Sequence, residues 1–274
     1  MSVLVAEAHK VRAFVRRDFL TMLSYRVAFV SDALAIAVQA VMFGFLAQLV
    51  DPAVLPTYNG VETGYFEFVM IGVVIATVTG LLLQKVATAM RQEQMMGTLE
   101  ALMVTPTSPT TVQMGSAAFD VLFIPIRIGA LLAAVSLALG LAFQASGILP
   151  ALALLAAFVP FVWGLGLLAA AAIVTFRRGE GVVGIGMSLL GLVSGAFFPL
   201  TLLPVWLQRL AEANPVAIAM EGTREALIGG AGWSVVGSDL FVVVALSAVA
   251  MFAGIAAFRA ALAREHRRGT LGLY

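Results

Sequence analysis

The chain contains no cysteine, which excludes disulfide staples, thiolate catalysis and cysteine-ligated zinc. Charge is scarce too: Asp, Glu, Lys and Arg make up 11% of 274 residues, against about a quarter in an ordinary soluble domain. The only lysines are Lys10 and Lys85; each is followed by valine and neither follows glycine, so the Gly-Lys-Ser/Thr core of a phosphate-gripping loop is missing. His9 and His266 sit in the terminal stretches, and no His-Glu-x-x-His occurs. Gly186-Met187-Ser188-Leu189 is followed by Leu190, which rules out a nucleophile elbow. An intramembrane aspartyl pair from Asp32 and Asp120 has the carboxylates but no supporting motif. The expectation is a non-enzyme that binds no cofactor, metal or nucleic acid of its own. Three tryptophans and four tyrosines also leave few stacking platforms for a polysaccharide path.

Apolar sequence is abundant. With 61% hydrophobic residues and a mean hydropathy of +1.03, this is a membrane protein, read as one all-α transmembrane domain over 1–274. Six apolar blocks lie at about 27–50, 64–88, 117–143, 149–175, 182–203 and 238–262. Each exceeds or matches the roughly 20 helical residues that cross a hydrocarbon core. No small-residue cleavage pattern follows the first block, so no signal peptide is expected.

Lysine and arginine set the orientation. Lys10, Arg12, Arg16, Arg17 and Arg26 precede the first block, Lys85 and Arg91 end the second, Arg177 and Arg178 follow the fourth, and Arg259, Arg264, Arg267 and Arg268 end the chain. These thirteen of sixteen basic residues fall on one side of six crossings, which makes both termini cytoplasmic. The connections 51–63 and 144–148 on the other side carry none.

Three stretches outside the blocks are patterned. Within 1–26, Leu4, Ala8, Val11, Val15, Phe19 and Met22 share one helical face and Lys10, Arg12, Arg16 and Arg17 another, which predicts an amphipathic helix at the interface. Asp18, inside the apolar stripe, is expected to pair with a neighbouring arginine. In the segment 91–109, Met95, Met96, Leu99, Leu102 and Met103 draw a second apolar stripe, with Gln92, Glu93 and Glu100 off it. The pattern ends at Thr105-Pro106, because a residue before proline is pushed out of helical geometry. In 199–230, Pro199, Pro204 and Pro215 break the chain and Gly229-Gly230 closes it. Val216–Ile228 is too short to cross, and a crossing there would put the basic C-terminus outside. Two broken helices that dip into the outer leaflet and return satisfy both limits.

Polar groups inside the blocks mark the bundle interior. Asp32 and Gln39, and Asp120 and Arg127, are each seven apart, close to two helical turns. Asp120 and Arg127 are then about 10 Å apart along the axis, so Arg127 is expected to meet another helix, at Asp32 or Gln39, or to snorkel to the headgroups. Gly184-xxx-Ser188 and Gly191-xxx-Gly195 are small-xxx-small spacings that let helices approach closely, either within the chain or against a second copy.

Arg91-Gln-Glu93-Gln94-Met-Met-Gly97-Thr98-Leu-Glu100, with Pro106 beyond it, resembles the cytoplasmic signature of the type-2 ABC exporter permeases. The pattern Phe198-Pro199, Leu203-Pro204, Trp206-Leu207, Asn214-Pro215, Glu221, Arg224 resembles the same family's external hairpin. With the six-span layout, the resemblance covers nearly the whole chain. It implies a coupling helix that docks on a separate ATPase, which would hold the ATP and magnesium. It further implies two copies forming the pathway, a hairpin capping it outside, and residence in a prokaryotic cell membrane. The apolar interior suits an amphipathic drug or lipid-like cargo. A lipid-linked glycan and an ion-gradient-driven transporter remain as other readings.

Overall fold

The computed structural model describes residues 3–24, 26–95, 109–176 and 179–268. The described residues are helical apart from connecting loops and one isolated bridge, Tyr58 to Val61, so the all-α class expected from composition holds. In chain order the helices are α1 (Val3–Ser24), α2 (Arg26–Leu46), α3 (Tyr65–Met95), α4 (Pro109–Leu122), α5 (Ile124–Leu139), α6 (Ile148–Thr175), α7 (Gly179–Leu192), α8 (Val205–Glu212), α9 (Pro215–Leu227) and α10 (Trp233–Arg268). Among the described residues, four stretches are long and apolar enough to cross a membrane: 65–89, 111–138, 145–175 and 233–264. The count of six crossings is thus a sequence expectation, since α2 offers a shorter apolar stretch, Ala37–Leu46, and α7 has 14 residues.

The third apolar block begins earlier than its hydropathy suggested and is broken. Pro109 starts α4, Phe123 leaves the helix, and Pro125 stands in the first turn of α5. A proline fits there because the first amide protons of a helix have no internal partner.

The core forms where α6 meets α10 and α3. Gly164 lies under the backbone of Ala250, and a Cβ on Gly164 would stand 2.4 Å from the Ala250 carbonyl atoms. A Cβ on Gly254 would likewise stand 2.4 Å from the Gly164 oxygen, so the two helices touch backbone to backbone. Gly166 admits the Val86 side chain of α3, which lies 2.5 Å from where a Cβ on Gly166 would stand. Ser247, buried on α10, donates to the Ala157 carbonyl at 2.8 Å. In a hydrocarbon solvent such close packing replaces the hydrophobic effect as the force between helices.

The amphipathic α1 packs along α4. Its buried knob is Phe14, whose ring fills the space a Cβ of Gly115 would occupy, and Phe19 meets Phe119 edge to face. Phe14 is not on the stripe read from the sequence, and Phe19 and Leu20 remain exposed. Apolar side chains on this helix serve two surfaces, the bundle and the lipid, so a single stripe does not identify the packed face. Asp18 does pair with Arg17, at 2.8 Å.

Candidate functional site

One end of the bundle is closed by a polar knot built on α9. Asn214 starts that helix as an N-cap: its side-chain oxygen accepts from the Val216 amide at 3.0 Å, and Pro215 occupies the first helical position. The Asn214 amide also donates to the Val193 carbonyl at 3.1 Å, which ties α9 to the end of α7. These contacts fix the register of α9, so Glu221 and Arg224, three apart, fall on one face toward the bundle.

Arg224 is fully buried. Its Nη1 donates to Glu221 Oε1 at 2.8 Å, its Nε to the Phe68 carbonyl at 3.1 Å, and its Nη2 to the Gly195 carbonyl at 2.9 Å. The guanidinium carbon stands 3.6 Å from the centre of the Phe68 ring. One side chain therefore joins α9, the top of α3 and the turn after α7. A rigid fork of donors suits this task; a lysine ammonium could not reach three separate elements in fixed directions. The turn cooperates, because Gly195 has φ +72° and presents its carbonyl inward. Gly72 on α3 lets the turn seat: a Cβ there would be 2.2 Å from the Ala196 oxygen and 2.6 Å from Arg224 Nη2.

The knot extends into the loop between α2 and α3. Tyr58 donates its hydroxyl to Glu221 Oε2 at 2.6 Å. Tyr58 begins a two-residue turn in which Asn59 (φ 50°) and Gly60 (φ 78°) both take positive φ, the form that matches strand twist, and Val61 closes it. Asn59 donates to the Gly229 carbonyl at 3.0 Å. Burial pushes the Tyr58 phenol above its ordinary range; the Glu221 carboxylate adds to the shift and Arg224 opposes it. The charges and donors of this constellation are matched, and it offers no activated nucleophile. What it can do is hold.

The remaining hairpin residues frame the knot. Pro199 is buried ahead of the short turn Leu200–Leu202, and Pro204 precedes α8. Trp206, Val205 and Leu210 leave an apolar surface exposed on α8.

At the other end, α3 runs for 31 residues, about 46 Å at 1.5 Å each, so it outruns a hydrocarbon core of ~30 Å. Arg91, Glu93 and Gln94 lie on its last turns, where the structure describes the helix but not their side chains. Gly97, Thr98, Glu100 and Pro106 lie outside the described residues. The helices that bracket this segment are cross-tied: the buried Gln113 of α4 donates to the Val86 carbonyl, and Lys85 pairs with Asp120. Lys85 as the partner of Asp120 went unread in the sequence, because the two lie 35 positions apart on different helices. Arg127 is half-buried on α5, and Gln39 is half-buried on α2. The side chain of Asp32 lies outside the described residues. Gly184 and Gly191 of α7 have nothing within 4 Å of a Cβ position among the described residues, and Ser188 donates back to the Gly184 carbonyl.

The ABC-2 type transporter family model matches residues 9–228, from the amphipathic helix to the end of the α9 knot. The chain belongs to that family. It is a multi-pass membrane permease component, and membership implies an ATP-binding-cassette partner. No curated protein matches the chain. In this permease the matched region takes in both ends of the bundle, the α9 knot and the α3–α4 base.

Proposed function

We propose that this permease exports an amphipathic, drug-like or lipid-like substrate, driven by an ATPase that docks on 91–109. Glu93, Gln94, Thr98 and Glu100 bear the docking contacts, Gly97 lets the two backbones approach, and Pro106 sets the exit angle. Two copies form the pathway and meet along the open small-residue face of α7, at Gly184, Ser188 and Gly191. The observation that carries the reading is the contrast between the ends. One is closed by a buried, fully paired knot, and the other is a cross-braced α3–α4 hairpin whose connection is the patterned segment. A push on that connection moves α3 and α4 together, and α3 carries Phe68 and Gly72 at the knot. The arrangement suits transmission from one face of the membrane to the other.

The test is to extract a tagged chain in mild detergent, identify what accompanies it and assay ATP hydrolysis. An ATPase is expected to co-purify and to be lost when Glu93 and Glu100 are both reversed to Lys. Glu93→Ala alone is expected to weaken substrate-dependent ATP hydrolysis while membrane insertion stays normal. Full transport by that variant, or a chain that comes alone without ATP dependence, would overturn the assignment.

A further inference from the structure

A groove of about 520 Å³ opens sideways between α2 and α5 and is backed by Phe66 of α3. Its α2 wall carries Ala37, Gly44 and, in the turn beyond the helix, Gln48; its α5 wall carries Ala134 and Ala138. Small side chains on both walls leave the slot open between larger apolar neighbours such as Phe45 and Leu131, so its lining is apolar along the stretch between the helices. Here α2 and α5 stand apart: α2 packs on α3, and its buried Phe43 stacks on Phe197 in the turn after α7. Water does not fill an apolar slot of this kind, and an empty one forfeits its contacts.

The dimensions identify what fits. From residue 37 to residue 48 the α2 wall runs about 16 Å, which matches half of a ~30 Å hydrocarbon core. A methylene takes up about the volume of a liquid water molecule, ~30 Å³, so the groove holds a chain of roughly sixteen carbons. Polarity is confined to one end, where the Gln48 amide stands beside the 51–64 loop. We infer that this groove seats one acyl chain of a membrane phospholipid, with the ester region at Gln48 and the methyl end near Ala37. The inference rests on the proposed orientation only for the leaflet, which is the outer one.

The test uses the delipidated chain in a maltoside detergent, resupplied with palmitoyl-oleoyl phosphatidylethanolamine and weighed by native mass spectrometry. The natural sequence should retain one phospholipid per chain. Ala134→Phe and Gly44→Leu fill the groove from opposite walls; the space beside Gly44 is open to 3.7 Å from Phe66, so a side chain can enter. At unchanged helix content by circular dichroism, each should reduce retention about tenfold, as expected for the loss of a few buried methylenes. Leu137→Phe, on the 88% exposed position of α5 outside the groove, should leave retention unchanged. Equal retention in the filled variants, equal loss in the Leu137 variant, or no retained lipid at all would each overturn the assignment. No ATPase or transport enters the readout, so its failure would leave the proposed function standing.

Discussion

Replacing Arg224 with Met should release the closed end of the bundle. Met matches the apolar stem of Arg and ends where the guanidinium begins, so the substitution removes the fork while keeping the stem's packing. The side chain is fully buried, and its loss leaves the Phe68 and Gly195 carbonyls without this donor and the Glu221 carboxylate without its counter-charge. Breaking one side of a buried ion pair costs about 3–5 kcal/mol, and an abandoned buried acceptor about 1–3 kcal/mol. Glu221 is 33% exposed, so water screens part of its share. The lower figure, about 3 kcal/mol, is therefore the expected minimum, and for a chain of this size it corresponds to a fall in Tm of about 5 °C. Thermal unfolding of the purified chain in detergent measures it. Arg224→Lys should fall between Met and the natural residue, because charge survives but the fixed directions do not. Glu221→Gln should be milder than Arg224→Met, since the amide oxygen still accepts from Arg224 and the amide NH2 can donate to the Tyr58 hydroxyl oxygen in place of the bond Tyr58 now donates to the second carboxylate oxygen. A Tm change of less than about 2 °C in Arg224→Met would refute the view that one guanidinium holds three elements together.

Gly72→Ala should destabilise the same end by about 1–3 kcal/mol, the usual cost of overpacking, because its Cβ meets the Ala196 oxygen. Gly80→Ala on the same helix, with nothing within 4 Å, is the control that should unfold like the natural chain. Tyr58 should also make stability pH-dependent in the alkaline range. Its folded pKa is raised, so its contribution is complete below the unfolded phenol value of about 10 and is lost as pH climbs above it. Unfolding midpoints across pH 9 to 11 would show a fall that Tyr58→Phe flattens; equal slopes in the two chains would count against the buried phenol.

Part of the architecture was legible because membrane sequences are written under one dominant constraint, hydrogen-bond closure in lipid, which turns long apolar runs into helices. The prolines at 199, 204 and 215 marked the breaks around α8 and α9 for the same reason. The sequence also placed Glu221 and Arg224 on neighbouring turns, but it did not disclose that Arg224 is buried or that it reads two backbone carbonyls from other elements. Backbone acceptors carry no residue signature. The small-residue spacings were ambiguous in the same way. Gly184-xxx-Ser188 stands open among the described residues, whereas a backbone-close helix contact uses Gly164 and Gly254, which lie on different helices.

Sequence by itself determined the solvent this protein lives in, its helical class and the positions of the two patterned connections along the chain. Those properties follow from composition and from periodicity along one chain. Tertiary structure alone decided the partners: Lys85 with Asp120, Phe14 in the socket of Gly115, Tyr58 and Arg224 meeting at Glu221, and α2 held away from α5. Each of these is a distance between residues far apart in sequence, fixed by how the helices pack, and a helix repeat reports the face of a residue without naming what stands opposite it.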